Sequence, residues 1–239
     1  MPRRSRPPKT KRSEHWLRVL VNEHADMLNA HITQAFGWRD ELIDWRSPVK
    51  ADGYAEYYDQ EFLDRLEVEN LIMPLQEFWP KSGPRWDALG RTETKKLILV
   101  EAKAYIEECV DFRSEASQDS LIRIENRLDE AKAAFHASVR ACWHAPFYQM
   151  ANRLAHLYFL AGINKKDAYL VFIHFANAPD VEVPTSGDAW IGAIRLARTC
   201  LGLKDSSLAR RVADVIVDVN TICGLQSAGG YALPRAPQP

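Results

Sequence analysis

Residues 84–105 read Pro84-Arg85-Trp86-Asp87-Ala88-Leu89-Gly90-Arg91-Thr92-Glu93-Thr94-Lys95-Lys96-Leu97-Ile98-Leu99-Val100-Glu101-Ala102-Lys103-Ala104-Tyr105. Asp87 stands fourteen positions ahead of a Glu-x-Lys triplet, Glu101 to Lys103, that ends an apolar run. The run Leu97 to Val100 is continuously apolar, which predicts a strand covered on both faces. Residues 90–94 predict a polar turn, with Gly90 available for a positive φ and Lys95 and Lys96 following. A turn centred near position 94 pairs Asp87 with Glu101, and directly opposed residues lie about 4.5–5.5 Å apart at Cβ. Period two then sets Leu97, Leu99, Glu101, Lys103 and Tyr105 on one face and Ile98, Val100, Ala102 and Ala104 on the other. Lys103 points the same way as both carboxylates.

Two carboxylates so placed can share one hard cation through oxygen ligands. A Mg²⁺ or Mn²⁺ there neutralises phosphoryl oxygens and lowers the pKa of a bound water. Lys103 would orient or activate that water, or stabilise charge on the transferring phosphate. Phosphodiester hydrolysis needs these groups and no covalent nucleophile. Acid-x-Lys triplets are common, and Glu93-Thr94-Lys95 and Glu130-Ala131-Lys132 are two more. The first falls in the turn and the second in a helical stretch, so only Glu101–Lys103 follows an apolar strand with an acid in register. The plain alternative is an ion pair where a strand emerges into solvent.

The segment resembles the core of the PD-(D/E)XK nuclease superfamily, the restriction-endonuclease-like fold. Pro84 and Asp87 stand for the first half of that motif, and Glu101, Ala102 and Lys103 for the second. The resemblance implies an α/β fold with a mixed central sheet flanked by helices, plus extra helices at the N-terminus and after the motif hairpin. It implies that Asp87 and Glu101 bind the cation, that the Ala102 carbonyl is a further ligand, and that Lys103 assists the water. The expected function is a Mg²⁺- or Mn²⁺-dependent nuclease with DNA as its nucleic-acid partner. Paired cuts on a duplex would call for a homodimer. A non-catalytic nucleic-acid-binding or assembly protein that keeps the fold is the main alternative, and a hydrolase of another phosphoester is a third. Some superfamily members carry a glutamine on the helix after the hairpin, which makes Gln149 an auxiliary candidate. Glu67, Glu69 and Glu77 are candidates for an extra acid.

A chain of 239 residues with 46% hydrophobic content can bury one substantial core. The expected division is a basic tail over 1–13, one nuclease-like domain over 14–224, and a flexible Gly-, Ala- and Pro-rich tail over 225–239. No apolar run is long enough to span a bilayer, and residues 1–13 lack the apolar core of a signal peptide. Cys109, Cys142, Cys200 and Cys223 are scattered, which predicts reduced thiols in a cytoplasmic protein and neither a zinc site nor a disulfide framework. Arg3, Arg4, Arg6, Lys9, Lys11 and Arg12 put six positive charges in the tail; with a net charge of −1 overall, the rest carries −7. Such a tail can contact phosphates or simply solubilise the chain.

Along the chain, Ser13 predicts the cap of one helix over 14–36, in which His24 and His31 share a packing face. A loop with Pro48 and Gly53 follows, then a helix marked by Tyr54, Tyr57, Tyr58, Phe62, Leu63 and Leu66. After the hairpin, Leu121, Ile124, Leu128, Ala131, Phe135, Val139 and Cys142 predict a long amphipathic helix. Pro146 opens another that runs through Met150 and Leu154 to Gly162. A strand is predicted over 169–175, with His174 a hydrogen-bonded strand histidine. Ser186 caps a helix closed by Gly202, Ser206 or Ser207 caps a short one, and a last strand is predicted over 215–219.

Overall fold

The structure is a computed structural model, and it describes residues 12–39, 41–111 and 116–228. Five strands lie side by side in chain order: β1 (Ile43–Ser47), β2 (Ala88–Thr92), β3 (Leu97–Lys103), β4 (Ala168–Ala176) and β5 (Val212–Asp218). The first three are joined antiparallel, while β3–β4 and β4–β5 are parallel. Parallel neighbours need long crossovers, and helices supply them. α5 (Gln118–Ala134) and α6 (Tyr148–Leu157) lead from β3 to β4, and α7 (Gly187–Cys200) leads from β4 to β5. The result is an α/β fold built on a mixed sheet.

β3 lies at the centre because its residues are apolar on both sides, as its sequence predicts. Leu97 and Leu99 enter one core with α5, α6 and α7, joined by α3 (Asp59–Arg65) and α4 (Leu75–Phe78). Ile98, Val100, Ala102 and Ala104 enter a second core with α1 (Arg12–Glu23), α2 (Ala25–Phe36) and α8 (Val219–Ala228). Trp86, Trp143 and Trp190 are fully buried in the first core. Burying a ring of that size removes about 150–250 Å² from water, roughly 4–6 kcal/mol before entropy is set against it. Two of the indoles also donate to backbone, Trp143 to Leu201 O at 2.9 Å and Trp190 to Phe175 O at 3.0 Å.

Several elements differ from the sequence expectation. The single helix over 14–36 is two, broken at His24 (φ −137, ψ 40), so each half turns its own apolar stripe to the sheet. β1 falls in a stretch that reads as loop, although its burial alternates inward at Ile43, Trp45 and Ser47. Gly90 lies inside β2, not in the turn. A Cβ there would meet Ile43 Cγ2 at 2.6 Å, so the glycine makes room for β1, and Lys95 (φ 68) takes the left-handed position instead. The helix expected to reach Cys142 ends at Ala134, where His136 turns left-handed (φ 54) and Ser138 N–H donates to Gly202 O at 3.0 Å. Val139 and Cys142 are exposed. The aromatic helix is confined to α3, with Tyr54 in a left-handed turn (φ 64) and Tyr57 and Tyr58 in the extended approach to it. The last strand runs Val212–Asp218, and α8 carries regular structure to Ala228, inside the stretch expected to be a loose tail. Residues 1–11 and 229–239 of the two expected tails lie outside the described residues. Among the described residues no helix is long and apolar enough to cross a membrane.

Candidate functional site

The β2–β3 ladder runs from Arg91↔Leu97 to Ala88↔Val100, the register that a centre at position 94 requires, and Asp87 lies just past its last pair. Asp87 N–H donates to Val100 O at 3.2 Å, and Ala102 N–H donates to Asp87 Oδ2 at 2.7 Å. In a strand the N–H and C=O of one residue point to the same edge. The Ala102 carbonyl therefore faces the edge occupied by Asp87, beyond the last β2–β3 pair.

Glu101 is buried at 3% exposure, and both its oxygens are engaged. Oε1 accepts from Lys103 Nζ at 2.7 Å. Oε2 accepts from Arg153 Nε at 2.7 Å and Nη2 at 2.6 Å. Arg153 rises from α6, donates also to Arg85 O at 2.9 Å, and lies over the Trp86 ring at 5.1 Å. Lys103 Nζ donates to Gln149 Oε1 at 2.7 Å, one helical turn before Arg153. The Gln149 N–H in turn donates to the Asp111 carboxylate at 2.9 and 3.1 Å. Asp87, Glu101, Lys103 and Gln149, all named from sequence, are thus brought together.

Two further residues complete the constellation. Arg153 had a legible signal, since Gln149 and Arg153 are four apart and share a helix face. Glu56 had none. It is delivered by an isolated antiparallel bridge, Tyr57↔Trp86, whose register sets residue 56 against 87, and its charge acts on Asp87. The proposed extra acids lie elsewhere. Glu67 pairs with Arg46 at 3.1 Å and with Arg91, while Glu69 and Glu77 are exposed on the α3–α4 connection and on α4. None of the three is among the charges that act most on Asp87. His174 is a bonded strand histidine as expected: Nε2 lies 2.9 Å from Asp214 Oδ1, and Arg198 holds the other carboxylate oxygen at 2.6 Å.

The electrostatics divide the two acids. Burial, and then the neighbouring Glu101 charge, push the Asp87 carboxyl well above the usual carboxylate range. Burial pushes Glu101 the same way, but Arg153 and Lys103 outweigh it and hold Glu101 below that range. Burial works against the Lys103 ammonium; Glu101 and Asp87 more than offset this and raise its pKa. Both acids thus favour the charged form of Lys103, which suits a hydrogen-bond donor. Asp111 is raised by burial, and burial pushes the nearby Cys109 thiol up to about 12, leaving it inert at neutral pH.

Among the described residues no three His, Cys, Asp or Glu side chains gather as a ready metal cage. The donors beside Asp87 nevertheless suit an ion that keeps most of its waters, as Mg²⁺ does with one or two carboxylates. Asp87 Oδ1 has no hydrogen bond among the described residues, and the Ala102 carbonyl lies on the same edge. Glu101 Oε1 has accepted one bond of the two that a carboxylate oxygen can take. The raised Asp87 marks a place where added positive charge would be favourable. No protein-family model, no curated protein and no solved structure matches this chain.

Proposed function

We propose that the chain is a metal-dependent nuclease that hydrolyses phosphodiester bonds, with DNA as the expected substrate. One observation carries the reading: the Asp87 carboxylate closes on Ala102 N–H at the β2–β3 end, where the Glu101 charge acts on it and Lys103 is bonded to Glu101. The mixed sheet and its order, helices, β1, short helices, the β2–β3 hairpin, helices, β4, support the restriction-endonuclease-like assignment. Asp87, Glu101 and the Ala102 carbonyl would hold a Mg²⁺ or Mn²⁺, which when bound polarises the phosphoryl group and acidifies a water. Lys103, as an ammonium, donates to that water or to a phosphoryl oxygen as charge builds there. Gln149 fixes the Lys103 head, and Arg153 fixes Glu101 from the opposite side.

The competing reading, a non-catalytic nucleic-acid-binding protein of the same fold, draws on Arg153. A glutamate already clasped by two cations resembles a settled ion pair. Cleavage of linear, nicked, branched and single-stranded DNA and of RNA with Mg²⁺ or Mn²⁺ separates the two. A nuclease loses cleavage with EDTA and in Asp87→Ala and Lys103→Ala. No cleavage, with equal binding by all three proteins, would replace this reading with the non-catalytic one.

A further inference from the structure

Resting on that reading, we propose that Arg85, backed by the Tyr58 ring, binds the phosphate next to the one cleaved, so that the substrate is a polynucleotide strand and not an isolated phosphoester. The Tyr57↔Trp86 bridge fixes the register of this rim. Tyr57 and Trp86 turn into the core, while positions 56 and 58 oppose 87 and 85 on the other side of the two extended segments. The register is borne out in both neighbouring pairs: the Glu56 charge acts on Asp87, and the Arg85 guanidinium lies 4.5 Å from the centre of the Tyr58 ring.

Arg85 is exposed and has no carboxylate partner among the described residues, which sets it apart from Arg46, Arg65, Arg91, Arg153 and Arg198. Stacking on tyrosine holds a guanidinium in place without neutralising it. The backbone beneath is braced as well. Arg85 O accepts from Arg153 at 2.9 Å, and Asp59 accepts from Gly83 N–H at 2.8 Å and Ser82 N–H at 3.0 Å. A planar guanidinium presented this way suits bidentate phosphate recognition. Arg85 is two residues from Asp87, about 6.5 Å of strand, which is on the order of one nucleotide of backbone. The neighbouring phosphate of a bound strand therefore falls to Arg85 when the scissile one is at Asp87.

The test compares wild type, Arg85→Gln and Arg85→Lys on an oligothymidylate and on bis(p-nitrophenyl) phosphate, which has a single phosphate. Arg85→Gln should raise KM on the oligonucleotide about 10- to 100-fold, the loss expected for one charged hydrogen-bonding partner, with kcat kept. It should leave the single-phosphate substrate untouched, and Arg85→Lys should recover part of the loss. Equal loss on both substrates, or none on the oligonucleotide, overturns the proposal. Binding of the oligonucleotide in Ca²⁺ by fluorescence anisotropy is read separately. Its salt slope should fall by about 0.7 in Arg85→Gln, one phosphate contact on a single strand. Absence of cleavage with an Arg85-dependent slope would sink the nuclease reading and keep the phosphate site. No binding by wild type, or a slope unchanged in Arg85→Gln, sinks the site.

Discussion

Replacing Arg153 by Met removes the guanidinium from beneath the site while filling much of its volume. In the native protein Arg153 and Glu101 have side chains only 9% and 4% exposed, joined by two hydrogen bonds of 2.7 and 2.6 Å. Stripping one partner from a buried pair costs about 3–5 kcal/mol, because the remaining charge stays buried without its counterion. Lys103 still binds Glu101 Oε1, which favours the lower part of that range. At about 2–4 °C per kcal/mol for a domain of this size, 3 kcal/mol lowers Tm by about 6–12 °C. The loss of the bond to Arg85 O and of the contact with Trp86 is a smaller addition.

The double variant Arg153→Met with Glu101→Gln separates the pair from its surroundings. With both charges gone, the orphaned carboxylate no longer exists, and the double variant should be more stable than the sum of the two single changes predicts. Contacting buried residues couple by about 0.5–3 kcal/mol, and this pair belongs at the upper end. Urea denaturation of all four proteins measures it. A cost below about 1 kcal/mol for Arg153→Met, or strict additivity in the cycle, would refute the claim that Arg153 holds Glu101 ionised.

Asp87→Asn should stabilise the cation-free protein. The native pKa of Asp87 is raised, so its penalty is absent below the unfolded value, grows as pH rises through the folded one and is full above it. Each tenfold difference in proton affinity is about 1.4 kcal/mol, and urea melts across pH would show the gap opening upward. Mg²⁺ or Mn²⁺ should raise the wild-type Tm, by about 2.7 kcal/mol of stability at a hundredfold excess over Kd. The effect should grow as pH rises, because Asp87 must lose its proton, and it should vanish in Asp87→Asn. Gly90→Ala should cost about 1–3 kcal/mol by overpacking Ile43 and Trp45, visible as a lower urea midpoint with activity per folded molecule unchanged.

The hairpin was legible because its two signals are local. A short unbroken apolar run bounded by a polar turn predicts a covered strand, and period two then fixes which side chains share a face. Both survive the displacement of the turn, since the register depends on the sum of paired positions and not on where the positive φ falls. β1 was missed because Ile43, Trp45 and Ser47 alternate over only five residues, and a proline follows directly. Its reality depends on Gly90, forty-three residues after Ser47, leaving room for its side chains. Gln149 and Arg153 could be read as one helix face, but their destination could not. Glu56 was out of reach altogether, for a single bridge between two irregular segments leaves no periodic trace. The candidate acids Glu67, Glu69 and Glu77 are nearer the motif in sequence, but they are paired with other residues or exposed elsewhere.

Glu101 and Lys103 alone do not separate a catalytic centre from a structural ion pair, since a pair buried beside Arg153 is well satisfied without any ligand. Asp87 separates them. A fold that needed only a stable strand end would gain by replacing this acid with an amide, which keeps the acceptor for Ala102 N–H and loses the repulsion from Glu101. Lys103 and Arg153 both hold Glu101, whereas the Glu101 and Glu56 charges both act against the Asp87 carboxylate. The deficit of positive charge therefore falls on Asp87. A site that compensates one acid well and its neighbour poorly is less stable than it could be. A proton on Asp87 relieves that imbalance, and a divalent cation there would do the same. The sign of the stability change in Asp87→Asn therefore tests the catalytic reading even before any substrate is known: a gain fits a site kept ready for a cation, and a loss fits a structural carboxylate.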